Sequence, residues 1–281
     1  MDLGFEGKRI LIAGAGVRPP RPGFGRVAAL KLAAEGARIA CLDFDQERAD
    51  AVTAEVRDAG CKDAISIVAD MTKREDVQRA VNETVAAFGG LDVTINIIGG
   101  ARWGRAWEFE DADWEWTMDT NLWQNYLLFQ EAAKYMIQQG TGGSMIAVVS
   151  VDGLNSSKLH VAYGAAKAGL ISTIKTFGEE LGKFGIRVNG VAPGSVGTGN
   201  EGPGESEFGD DPLSPLAKPR TRDISNAIIF FASNLSERVT GQTLPVDGGA
   251  TTKAPLMYSE DTLAWSKQFS GGGLAPDAKR P

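Results

Sequence analysis

The feature that most limits the fold of this chain is an alternation. Short unbroken apolar runs are separated by longer stretches of helical periodicity, from the first residues to about residue 250. Arg9–Ala13 (RILIA), Arg38–Leu42 (RIACL), Ala64–Val68 (AISIV), Val93–Asn96 (VTIN), Met145–Val149 (MIAVV) and Arg187–Ala192 (RVNGVA) are mostly apolar and lack a polar/apolar rhythm. A strand covered on one face alternates; a strand covered on both does not, so these runs read as parallel strands. In the helical stretches, Asp45 reads as an N-cap and Gly60 lies just past that helix's end. Thr72 and Glu75 stand in a capping-box relation ahead of Val77, Val81, Val85 and Phe88 at helical spacing. Right-handed crossovers through such helices give an α/β fold: one doubly wound parallel sheet in a three-layer α/β/α sandwich.

A chain of 281 residues can bury one large core, so length does not call for two domains. One domain is expected over 1–250, with residues 251–281 as a polar C-terminal extension. Residues 194–219, rich in Gly, Pro and acidic side chains, are expected to form a mobile loop that closes over a substrate. A formal net charge of −7 without a long basic run argues against nucleic acid or an anionic membrane as partner. The single histidine argues against a His-rich metal site, and no metal is expected. Cys41 and Cys61 show no metal-ligand spacing and read as buried packing, which suits the cytoplasm. No signal peptide is read at the start, and no apolar run reaches membrane-spanning length.

After the first strand comes a turn with Gly14, Gly16, Gly23 and Gly25, and then a helix over 26–34. Strand, glycine turn and helix together bring a pyrophosphate to free backbone N–H groups and to the positive end of a helix dipole. Glycine is required where the backbone must approach phosphate without a Cβ. Asp43 follows at the end of the second strand. A carboxylate there accepts ribose hydroxyls and repels a 2′-phosphate, so NAD is expected over NADP, although Arg18 and Arg21 in the turn weigh the other way.

Tyr163 and Lys167 lie four apart in Tyr-Gly-Ala-Ala-Lys and therefore share one helix face. A free phenol, with a pKa of about 10, is too weak a base near neutrality, and a nearby cation corrects this. Ser150, thirteen positions earlier and just past a strand, is placed to hold a substrate oxygen while Tyr163 exchanges its proton. Any of these features alone occurs by chance. Their conjunction with the nucleotide turn does not.

With these residues in view, the chain resembles the classical short-chain dehydrogenase/reductase family over about residues 5–250. The resemblance is carried by the glycine turn from Ile12 to Arg26, Val68-Ala69-Asp70-Met71-Thr72, Asn96-Ile97-Ile98-Gly99 and Asp119-Thr120-Asn121-Leu122. Val149-Ser150, Tyr163 to Lys167, Asn189 to Gly194 and Gly241 to Gly249 (GQTLPVDGG) complete it. It implies a Rossmann fold and a tetrad. Tyr163 would be the acid/base, Ser150 would steady the substrate oxygen, Lys167 would bind the nicotinamide ribose and tune the phenol, and Asn121 would hold a relay water. For the cofactor it implies Gly14, Gly23, Phe24 and Gly25 at the phosphates, and Asp70 and Met71 near adenine. It also implies Asn96 and Gly99 along the dinucleotide, and Pro193, Gly194, Val196 and Thr198 near the nicotinamide amide. A homotetramer is the usual assembly. Two departures stand out: Ala15 to Pro22 enlarges the turn to eight residues where the family has three, and Asn-Ile-Ile-Gly replaces Asn-Asn-Ala-Gly.

The activity so implied is hydride transfer between NAD(H) and a secondary alcohol or ketone, of apolar, aromatic or cyclic character. Trp103, just beyond Gly99, and Asp152, Asn155 and His160, between Ser150 and Tyr163, are the substrate-side candidates. Trp114, Trp116 and Trp123 read as packing. The alternatives are an NADP-dependent 3-oxoacyl-type ketoreductase and a non-catalytic dinucleotide-binding protein. A sugar-nucleotide epimerase is disfavoured by the absence of a large C-terminal substrate domain.

Overall fold

A computed structural model describes residues 2–17, 23–196 and 214–252. Seven strands form one parallel sheet: β1 (Arg9–Ala13), β2 (Arg38–Asp43), β3 (Ile65–Val68), β4 (Val93–Asn96), β5 (Gly143–Val148), β6 (Ile186–Pro193) and β7 (Thr243–Val246). Their order is β3-β2-β1-β4-β5-β6-β7. The chain moves outward from β1 to β3, returns past β1 to β4, and moves outward again. The point of reversal lies between β1 and β4, where Ala13 pairs with Asn96. In such sheets a crevice opens there at the carboxyl ends of the strands.

Successive β1 side chains enter different cores, as the two-residue period of a strand demands. Leu11 and Ala13 join Val77 and Ala80 of α3 (Arg74–Phe88), Leu127 of α5 (Gln124–Gln139) and Leu170 of α6 (Val161–Leu181). Ile10 and Ile12 join Leu32 of α1 (Phe24–Ala34), Val52 of α2 (Gln46–Asp58) and Phe231 of α7 (Thr221–Ala232). The remaining helix, α4 (Asp111–Met118), precedes α5 through a π-helical turn at Asp119–Trp123. The doubly wound, three-layer architecture expected from the apolar runs is therefore the observed one.

Local expectations fare unevenly. Asp45 does cap α2, accepting from the Arg48 amide at 3.1 Å, and Gly60 follows its end with φ +127°. The Thr72–Glu75 capping box does not form. Lys73 is the N-cap of α3, because the Thr72 hydroxyl donates instead to Asp70 Oδ1 at 2.7 Å. Strand β7, inside the Gly241–Gly249 motif, was not among the strands expected. Its residues are half-buried or exposed, so it lacks the apolar run that marks the other six. Trp114, Trp116 and Trp123 are not core residues. They are about two-fifths exposed, with Trp116 under the Arg102 guanidinium and Trp123 stacked on Tyr126. Among the described residues no helix is long and apolar enough to cross a membrane.

Candidate active site

Gly14 follows the first strand, and its φ of +83° is a backbone turn that only glycine adopts freely. The Gly14 and Ala15 amides are spent on Leu42 O, at 2.9 and 3.0 Å, so they tie the turn to β2. Helix α1 starts after Gly23 with no side-chain cap and no acidic residue in its first turn. Its first amides therefore lack intrahelical partners and face the crevice end of the sheet, as an anion site requires. A Cβ on Gly25 would lie 2.4 Å from Gly14 O, so that glycine lets helix and turn meet. A Cβ on Gly16 would lie 2.5 Å from Asp43 Oδ2. Asp43 thus lies against the turn itself, buried and with its carboxyl pushed up by that burial. The resemblance places Gly14, Gly23 and Gly25, and not Gly16, at the phosphates; the approach of Gly16 to Asp43 joins residues far apart in sequence. Residues 18–22, including Arg18 and Arg21, lie outside the described residues.

A cleft of about 1090 Å³ continues from there, lined by Phe44, Asp70, Met71, Ile98 and Gly99 among others. Burial opposes ionisation of Asp70, but hydrogen bonds from Thr72 and the Lys73 ammonium at 3.3 Å hold its carboxyl below the usual range. Asn96 ends β4 as a staple: its amide donates to Gln124 Oε1 at 2.7 Å and its Oδ1 accepts from the Ile98 amide. These groups and the glycine turn fit a dinucleotide laid across the reversal point.

Four side chains gather beyond Gly99. Asn121 sits in the π-helical turn, fully buried, donating to Gly100 O at 2.6 Å and Thr117 O at 2.9 Å and accepting from the Gly100 amide. Its own carbonyl accepts from Asn125 Nδ2, so a relay water at Asn121 must share one of these contacts. A Cβ on Gly99 would lie 2.8 Å from Asn121 Oδ1 and 3.2 Å from Lys167 Nζ. Ser150 follows β5, and its hydroxyl accepts from the Asp152 amide at 3.2 Å and lies beside the phenol of Tyr163, which sits in the first turn of α6. Lys167, one turn on, is buried, with its ammonium on Val148 O at 2.8 Å and 5.5 Å from the Tyr163 ring centre. Burial raises the Tyr163 phenol, and the Ser150 hydrogen bond draws it partly back. Burial lowers Lys167 to about 7.

Of the substrate-side candidates, three come together. His160 Nδ1 meets Asp152 Oδ2 at 2.5 Å, and the Trp103 ring lies 3.7 Å from the imidazole, centre to centre. The His160 ring is 5.4 Å from that of Tyr163. Asn155 is exposed and lies instead at the rim of an apolar cleft of about 850 Å³, beside Trp107 and Leu154. That cleft borders the Gly164, Ala165 and Ala168 face of α6, not the face of Tyr163 and Lys167. Trp107, a wall of this cleft, was not singled out from the sequence. Pro193 ends β6 and Gly194 follows, where a Cβ would strike Asp247; Val196 packs against the core that holds Ile10, Leu32 and Phe231. Thr198 and most of the 194–219 loop lie outside the described residues.

Comparison with known proteins matches this arrangement to a family. A family model described as enoyl-(acyl carrier protein) reductase covers residues 20–251. The chain belongs to the classical short-chain dehydrogenase/reductase family. It is 31% identical to a glucose 1-dehydrogenase of Gluconobacter oxydans, over 93% of this chain and 97% of that protein. It is 33% identical to a 3-oxoacyl-[acyl-carrier-protein] reductase of Thermotoga maritima, over 87% of this chain and 98% of that one. Among solved structures, a short-chain dehydrogenase/reductase from Mycobacterium marinum superposes with a TM-score of 0.80 at 28% identity, covering 90% and 98% of the two chains. Levodione reductase superposes at 0.77 with 26% identity, covering 89% and 100%. As a short-chain dehydrogenase/reductase, this protein is an NAD(P)-dependent oxidoreductase.

Proposed function

We propose that the chain interconverts a ketone and a secondary alcohol at Tyr163. The observation that carries this reading is the gathering of Ser150, Tyr163 and Lys167 beside the crevice, with the Lys167 ammonium 5.5 Å from the Tyr163 ring and anchored on Val148 O. In ketone reduction, the Tyr163 hydroxyl gives its proton to the substrate oxygen while Ser150 donates a hydrogen bond to the same atom. A bound nicotinamide supplies or takes the hydride. In its charged form Lys167, anchored on Val148 O one turn from the phenol, favours the phenolate, and a pKa of about 7 leaves that form populated near neutrality. Asn121 and Asn96 hold the loop between them, where Gly99 leaves the room a cofactor needs.

For the substrate class, the relatives favour a 3-oxoacyl-type ketone over a free apolar alcohol. Several at 32–34% identity are named 3-oxoacyl-[acyl-carrier-protein] reductases. The apolar reading rests on the Trp103 indole, which packs on His160 beside Tyr163. For the cofactor, Asp43 at the end of β2 supports NAD, since its carboxylate would repel a 2′-phosphate. A homo-oligomer and a cytoplasmic setting remain part of the reading by resemblance.

One assay tests it: nicotinamide absorbance with acetoacetyl thioesters, aliphatic ketones and sugars, using NADH and NADPH. Turnover of a ketone with NADH preferred, and a loss of roughly 10²–10⁴-fold in kcat for Tyr163→Phe, is the expected result. Undiminished turnover by the phenylalanine variant would remove the mechanism.

A further inference from the structure

The contacts of the single histidine are unusual for a loop residue. Its Nδ1 is held by Asp152, which is itself locked by the Ser157 hydroxyl at 2.5 Å. Its Nε2 is buried and, among the described residues, has no hydrogen-bond partner. Leaving a buried polar atom unpaired is costly and calls for an explanation. Desolvated packing alone would be met by a phenylalanine, without the cost and without Asp152. The Trp103 indole packs against the ring and is itself 68% exposed, so little buried surface holds it in place. The preceding residue, Leu159, is in the left-handed region with φ +68°, and its carbonyl accepts from the Gly104 amide at 3.1 Å. Backbone strain of this kind persists where the surroundings enforce a particular placement of the next side chain. That side chain lies between Tyr163, where the reacting oxygen would sit, and the apolar cleft whose wall it joins.

We propose that His160 is a specificity-determining residue whose Nε2 hydrogen-bonds a second oxygen of the substrate, one or two carbons from the reacting carbon. The inference rests on the reading of Tyr163 as the proton-transfer group. Displacement of Trp103 uncovers Nε2, and the orphaned atom gains its partner only when the substrate carries that oxygen. The chain then takes 1,2- or 1,3-dioxygenated compounds in preference to simple ketones. An imidazole suits this role, because it accepts from a hydroxyl when neutral and donates to a carbonyl when protonated. Asp152 fixes which nitrogen faces the substrate. Asp152 and Trp103 act through His160 and are positioning residues.

Because His160 is the only histidine in the sequence, ¹⁵N-histidine labelling of the full chain, purified without a histidine tag, gives a single imidazole to observe. With NAD⁺ present, ethyl acetoacetate is expected to move the Nε2 resonance, while pentan-2-one leaves it in place. Movement with both compounds alike, or with neither, overturns the proposal. Kinetics supply the second reading. The ester also activates its ketone, so the informative quantity is the change between proteins in the ratio of kcat/KM for the two compounds. His160→Phe should lower that ratio about tenfold, and Asp152→Asn should lower it by less. An unchanged ratio in His160→Phe overturns the proposal as well. If Tyr163→Phe kept its activity, the underlying reading would fail while the resonance experiment still judged His160.

Discussion

At the scale of single residues, the most consequential number is the Lys167 value of about 7, produced by burial alone. A lysine free in the unfolded chain titrates near 10.4. Below pH 7 the ammonium is charged in both states, and the folded state bears the full cost of burying it. Between pH 7 and about 10.4 the folded protein has released the proton while the unfolded chain still holds it, so this contribution makes stability rise with pH. Above both values the cost is gone. Lys167→Met should therefore gain most in Tm relative to wild type below pH 7, and the gain should shrink toward pH 10. Thermal melts over that range check it, and a gap independent of pH would show that Lys167 is not desolvated. The same substitution should abolish ketone turnover, a stability gained at the expense of function. The proximity of Tyr163, Lys167 and Ser150 was legible in the sequence because helical spacing and a strand end determine their neighbourhood. The pairing of His160 with Trp103 was not, since both lie on loops whose approach depends on Leu159 adopting a positive φ.

At the scale of elements, the site depends on two irregularities that bring Asn121 and Lys167 to Gly99. One is the loop after β4, and the other is the π-helical turn between α4 and α5. Such turns recur at functional sites because one wider turn re-aims a side chain without ending the helix. Gly99→Ala tests the convergence. Its backbone is not left-handed, so no strain of that kind arises, but the methyl would press on Asn121 Oδ1 and Lys167 Nζ. Overpacking of this sort costs about 1–3 kcal/mol where neighbours cannot yield. Turnover and dinucleotide affinity, read by titration calorimetry, should fall by at least about tenfold, with the circular dichroism spectrum unchanged. Retention of both would show that Gly99 is a loop residue of no particular demand. The six double-covered strands were legible from apolar runs alone. The thinly covered β7 was not, nor was the start of α3, where Thr72 serves Asp70 rather than the helix end. A hydrophobic period also cannot report one wide turn within a helix.

At the scale of the whole molecule, chemistry and anchorage occupy opposite ends of one sheet. Crevice, glycine turn and tetrad lie at the carboxyl ends of β1, β4 and β5. The amino ends of β1 and β4 are joined by a fork: Arg9 Nε and Nη2 on the two Asp92 oxygens at 2.8 and 2.6 Å. Neither side chain is more than a quarter exposed. Burial alone would raise the Asp92 carboxyl, yet the Arg9 hydrogen bonds and charge hold it below the usual range. A carboxylate depressed in this way contributes stability above its unfolded pKa of about 3.9 and loses it as pH falls through the lower folded value. Asp92→Asn should therefore destabilise at pH 7 by about 1.5–3 kcal/mol, the worth of hydrogen bonds to a charged group. The difference from wild type should close as the pH drops below 4. Because the fork is a full strand length from Tyr163, kcat/KM should stay within about twofold of wild type, as expected for sites without shared partners. A Tm gap independent of pH would show that the Asp92 charge is not what the fork contributes, and a large loss of turnover at unchanged fold would mean that the two ends of the sheet are coupled.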